Sequence, residues 1–160
     1  MITKVISGGQ TGADRAALDA AIEVPVPTGG SCPAGKKAED GEIPDFYGLQ
    51  EISGGYRQRT RKNIVDSDGT AIFYDGFLSG GTELTLQFCI RLNKPYKLVD
   101  SFVIDAEKAA AVLVDFTDKF QVTTLNVAGP RASNHPEIYE YVKQAIVKTL
   151  TASASHEWGP

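Results

Sequence analysis

Little in this chain points to a metal site, a membrane or a nucleic acid. Its two cysteines, Cys32 and Cys89, lack C-x-x-C spacing, and the only histidines, His135 and His156, cannot complete a zinc site with them. Reduced thiols and no protein-held metal are therefore expected. No stretch approaches the roughly 18 consecutive apolar residues a membrane span requires, and the N-terminus shows no basic segment followed by an apolar signal. This predicts a cytoplasmic protein with no membrane partner. A basic excess is missing too: the net charge is −4 at pH 7, whereas nucleic-acid binders carry surplus Lys and Arg to meet phosphates. Any anion has to be met by a local pocket.

The 160 residues, 42% of them hydrophobic, suffice for one continuous core. We expect one domain over residues 1–150 and a C-terminal tail over 151–160, packed if at all by Trp158. Short β-rich runs at 3–6, 24–26, 70–74, 96–99 and 123–127 alternate with helical patterns at 13–22, 56–66, 82–93, 106–116 and 136–150. The strand runs show little polar alternation, as in strands buried on both faces. The pattern predicts an α/β fold, a Rossmann-like three-layer sandwich with a mostly parallel five-stranded sheet of order 2-1-3-4-5. Thr11 with Asp14 is placed to cap the first helix, and Asn134 with Pro136 and Glu137 to start the last.

The first strand runs into Ser7-Gly8-Gly9-Gln10-Thr11-Gly12 and an alanine-rich helix runs out. Such a turn lets backbone N–H groups converge at the positive end of a helix dipole. A second copy follows at Ser79-Gly80-Gly81-Thr82, and a third glycine segment, Gly129-Pro130-Arg131, follows the fifth strand. In the expected strand order the first two turns meet at the switch point, the usual ligand site of open α/β sheets. Candidate phosphate-binding residues are Gly8, Gly9, Gln10, Thr11, Gly12, Arg15, Ser79, Gly80, Gly81, Thr82, Gly129 and Arg131. Arg57, Arg59, Arg61 and Lys62 form a positive run on one helix, of which a single side chain in the crevice would serve. Residues 28–55 show no helix or strand period and are read as a lid or wall of the ligand site.

The first turn lacks the Gly-Lys-Ser/Thr ending of a P-loop, so no lysine awaits a γ-phosphate. Serine replaces the first glycine of a dinucleotide fingerprint, and no acid ends the second strand to hold a ribose. Both common nucleotide motifs are excluded.

Ser7-Gly8-Gly9-Gln10-Thr11-Gly12-Ala13-Asp14, the Cys32-Pro33 to Asp40-Gly41 loop, Tyr56 with Arg59-Thr60, Ser79-Gly80-Gly81-Thr82 and Asn126-Val127-Ala128-Gly129-Pro130-Arg131 together resemble the molybdenum carrier family. That family belongs to a Rossmann-like superfamily with the molybdenum cofactor carrier, the DNA-processing protein DprA and the Lonely Guy (lysine-decarboxylase-like) phosphoribohydrolases. The resemblance implies glycine turns holding a phosphorylated small molecule, a molybdopterin-type cofactor or a nucleoside monophosphate, in a homo-oligomer with Phe88, Leu92 and Phe116 as contact area. It also implies a hydrolase alternative, cleaving the N-glycosidic bond of a nucleoside 5′-monophosphate. There Arg59 falls on a catalytic arginine, Asp68 on an acid before the strand, and Thr85 on the essential glutamate. Threonine cannot stabilise an oxocarbenium ion. Glu83 lies about 200° around the helix from Thr85 at 100° per residue, so it does not replace that carboxylate directly. Under the alternative the carboxylate would be Glu83, Glu39 or Asp40. A carrier that binds without turnover is the favoured reading.

Overall fold

The computed structural model describes residues 1–155. Trp158 and His156 lie outside the described residues. β1 (Lys4–Ile6) leads through the first glycine turn into α1 (Ala13–Glu23), and the chain returns as β2 (Thr28–Gly29). The second strand thus falls later than residues 24–26. Helical backbone persists to Val24, and the Val26 N–H closes onto Ala21 O, so the chain must turn before it can pair with β1.

Residues 28–55 are not structureless. β3 (Ser31–Pro33) pairs in parallel with β6 (Gln50–Ile52), and between them β4 (Lys37–Ala38) and β5 (Gly41–Glu42) form a small hairpin, followed by a 3-10 turn at Asp45–Tyr47. The segment has its own core, where Cys32, Ile43, Tyr47 and Leu49 pack on Leu18 of α1. α2 (Tyr56–Val65), β7 (Gly69–Tyr74), α3 (Gly80–Arg91), β8 (Tyr96–Asp100), α4 (Ala106–Lys119), β9 (Thr124–Ala128) and α5 (Ile138–Ser155) complete the chain. α5 runs beyond residue 150 because Ser153 is buried, its Oγ accepting the Ile2 N–H at 3.3 Å. Phe88 and Phe116 are core residues, which removes them as contact area for a second copy.

The Rossmann-like class is as expected: five parallel strands lie between helices, α1, α4 and α5 on one face and α2 and α3 on the other. The spatial order is β2-β1-β9-β7-β8. The last strand is therefore inserted between the first and the third, giving 2-1-5-3-4 in chain order where 2-1-3-4-5 was expected. β9 takes the centre because Leu125, Asn126 and Val127 are all buried and the strand pairs on both sides, Thr124 to Asn126 with Lys4 to Ile6 and Leu125 to Ala128 with Gly69 to Ile72. Asn126 Nδ2 donates to Thr70 Oγ1, and the Asp68 carboxylate accepts from the Thr123 and Thr124 N–H groups, which fixes the register. Counted from β9 onward, the same order reads 3-2-1-4-5, the dinucleotide-binding arrangement. The switch point consequently lies between β9 and β7, with β1 one strand away.

Candidate functional site

Parallel pairing sets all the strand-to-helix turns on one edge of the sheet. There a cavity of about 260 Å³ is walled by Tyr56, Tyr74, Asp75, Phe77, residues 79–82, Gly129, Arg131, Asn134 and His135, among others. A recess of about 40 Å³ adjoins it, lined by Gln10, Asp14, Arg59 and Thr85 and sharing the walls Tyr56, Gly81, Thr82, Gly129 and Arg131.

The two glycine turns play unequal parts. In the second, the first helical bond of α3 runs from the Glu83 N–H to Ser79 O. The N–H groups of Gly80, Gly81 and Thr82 precede it, and all three residues line the cavity. In the first turn four donors are used within the protein. Gly9 N–H donates to Ser7 Oγ, Gln10 N–H to Asp14 Oδ2, Thr11 N–H to Gln10 Oε1 and Ala13 N–H to Pro130 O. Those four amides are therefore closed to a ligand, which leaves the second turn the larger share of open donors. Gly9 is covered by Ile43 and Leu49, Gly12 abuts Pro130 O, and Gly8 lies under the Arg59 guanidinium.

Thr11 does not cap α1. Its hydroxyl donates to Glu39 Oε1 and accepts from the Ala132 N–H, while Gly12 is the N-cap. Nor does Arg15 reach the cavity: it donates to Gly9 O at 3.0 Å and pairs with Asp40 at 2.9 Å. Glu39 also accepts from the Ser133 N–H and hydroxyl, which holds its carboxyl below the usual carboxylate range. The segment expected as a lid is thus latched shut over the first turn by Glu39 and Asp40, and both carboxylates are occupied in doing so. Glu83 is exposed and lies outside the cavity walls, and Asp68 sits at the opposite, amino edge of the sheet.

Arg59 is the member of the basic run that turns inward. Lys62 pairs with Asp66 at 2.7 Å and Arg57 lies over Phe88, whereas Arg59 stacks on Tyr56 at 4.5 Å and enters the recess. Its Nε is buried without a hydrogen-bond partner among the described residues. The Asp14 carboxylate it faces is 3.7 Å from Nη1, beyond hydrogen-bonding distance, with side chains 11% and 8% exposed. Burial raises the Asp14 carboxyl to about 6, against the opposing pull of Arg59, the Gln10 N–H, Arg15 and Arg131.

Of the candidates named from sequence, the structure brings Gln10, Arg59, Ser79, Gly80, Gly81, Thr82, Gly129 and Arg131 to the cleft. Gly8, Gly9, Thr11, Gly12, Arg15 and Glu83 lie behind or beside it. Asp75 and His135, missed in the sequence, also line it: His135 Nε2 is 2.8 Å from Asp75 Oδ2, and Ser101 Oγ donates to Asp75 Oδ1 at 3.1 Å. Their signal was positional, since both directly follow or closely trail strands at the carboxyl edge.

Fold and cleft together define a Rossmann-like α/β protein with its cavity at the topological switch point. The model of the Circularly permutated YpsA SLOG family matches residues 5–150, and the chain belongs to that family. The inserted β9 is the topological mark of such a permutation. The chain is also similar to the crystal structure, at 1.45 Å resolution, of the Putative molybdenum carrier protein from Syntrophus aciditrophicus SB. The two share 47% identity and a TM-score of 0.90 over 93% of this chain and 95% of the other. Among curated proteins none matches.

Proposed function

We propose that the cleft carries a phosphorylated, ring-bearing small molecule without turnover, either a molybdopterin-type cofactor or a nucleoside monophosphate. Its phosphate meets Arg59 and the N-terminus of α3, and its ring occupies the larger cavity between Tyr56 and Phe77. The observation that carries this reading is Arg59, a buried cation whose Nε lacks a partner beside open helix N–H groups. Such a group is costly unless an anion completes it. The name of the similar carrier protein supports the molybdopterin-type ligand. The donor set suits the phosphate and ring of such a cofactor. Among the described residues no three His, Cys, Asp or Glu side chains cluster to chelate a metal ion, so a molybdenum atom would travel as cargo of the organic ligand. Hydrolysis has less support, because Glu39 and Asp40 serve as latches and Glu83 stands outside.

The test is a thermal-shift titration with adenosine and guanosine monophosphates and with molybdopterin, beside an assay for released base. A ligand at 100 times its Kd is expected to stabilise the protein by about 2.7 kcal/mol. Stabilisation without free base supports the carrier; adenine or guanine release overturns it.

A further inference from the structure

Asp14 is nearly buried on the first turn of α1, yet its carboxyl lines the recess that Arg59 enters. Three charged groups face it. Arg15 on its own helix is committed to Gly9 O and Asp40, Arg59 comes from α2, and Arg131 comes from the loop after β9. α3 contributes only the uncharged Gly81, Thr82 and Thr85. His135 and Asp75 face the adjoining larger cavity, not the recess.

An ionised Asp14 and an anionic ligand would set two like charges in one small polar recess of about 40 Å³. Protonated on Oδ1, the same carboxyl presents an O–H to the recess, while Oδ2 still accepts from the Gln10 N–H at 3.3 Å and keeps its place 3.7 Å from Arg59 Nη1. Burial already favours this neutral form. Resting on the anion-holding reading of the cleft, we propose that Asp14 is a specificity-determining residue that receives the ligand's oxyanion as a neutral carboxylic acid. It donates its O–H to an oxygen of that group next to Arg59, so each oxyanion captured brings in one proton from solvent. No covalent bond changes. The ligand class is a tetrahedral oxyanion, free or as a phosphate monoester.

Calorimetry with sulfate, whose charge is constant across the range, tests this between pH 5.5 and 8 on the whole protein. Affinity is expected to fall by up to about tenfold per pH unit above about pH 6. Repeating the titration in two buffers of different ionisation heat counts the proton taken up directly, without any variant. Asp14→Asn keeps an acceptor for the Gln10 N–H and a donor for the ligand but cannot titrate, so its affinity should be independent of pH. Adenosine monophosphate as a second probe tells ester from free oxyanion; because its phosphate titrates at about pH 6, its proton uptake is read as the difference between wild type and Asp14→Asn. Wild-type binding with no proton uptake, or an Asp14→Asn variant that keeps the pH slope, overturns the proposal. Absence of binding by either probe at every pH instead refutes the anion site itself, and this inference with it.

Discussion

The Tyr56 hydroxyl occupies the space a side chain on Gly81 would need: a β-carbon built on Gly81 would lie 1.8 Å from Tyr56 Oη. Both residues line the cleft, and the Tyr56 ring stacks on Arg59 at 4.5 Å. Gly81→Ala should therefore swing Tyr56 away and release Arg59, weakening nucleotide binding at least about tenfold. Stability should stay within about 1 kcal/mol, since the displaced atom ends a flexible side chain and alanine favours the helix. Titration calorimetry beside thermal unfolding separates the two effects.

Adjacent glycines should behave differently. A β-carbon on Gly8 would fall 1.7 Å from Arg59 Nη1, so Gly8→Ala expels the guanidinium and removes ligand binding with little loss of fold. Gly9 has φ +75 and its β-carbon would meet Leu49 Cδ2 at 2.6 Å. Gly9→Val thus strains the backbone and overpacks the small core, costing about 1–3 kcal/mol or more, seen as a fall of several degrees in Tm.

Arg59→Met replaces a buried cation, whose Nε has no hydrogen-bond partner among the described residues and whose Nη1 lies 3.7 Å from Asp14, by an apolar chain of similar length. Measured below about pH 6, where Asp14 is neutral, the unliganded protein should keep its stability or gain some, because no buried charge is left without its counter-charge. Binding of adenosine monophosphate should fall by about 10- to 100-fold. A Tm that drops sharply without ligand would show that the Asp14 contact is structural.

Glu39 fastens the 28–55 segment to Thr11 and Ser133. Its folded-state carboxyl lies below its ordinary value of 4.5, so its contribution is present above about pH 4.5 and disappears as pH falls through the lower folded value. Glu39→Gln should have a lower Tm than wild type at pH 7, and the gap should close toward pH 3. Faster hydrogen exchange in residues 28–55 of the variant would locate the loss.

Asp14 has the opposite sign. Its pKa is raised from 3.8 to about 6, so its stabilising contribution is full below about pH 4 and is lost as pH rises to about 6. The shift of about two units is worth at most about 3 kcal/mol. In the absence of anions, Asp14→Asn should gain on wild type progressively from pH 4 to pH 6 and hold that gain above it, as read by denaturant unfolding.

The chain's local patterns determined its elements. Five helices and the strands β1, β7, β8 and β9 follow from periodicity, and glycines after apolar runs marked the edge where the cleft opens. The resemblance to the molybdenum carrier proteins pointed to Arg59 before any coordinates did. Only tertiary structure decided which strands are neighbours, because pairing β9 between β1 and β7 joins residues more than 50 positions apart and leaves no local trace. That insertion moved the switch point from β1 to β9. It also explains why the first glycine turn spends its amides on Ser7, Gln10, Asp14 and Pro130 instead of a ligand. A donor's partner is set by what the fold brings within about 3 Å of it, which short-range sequence pattern does not encode.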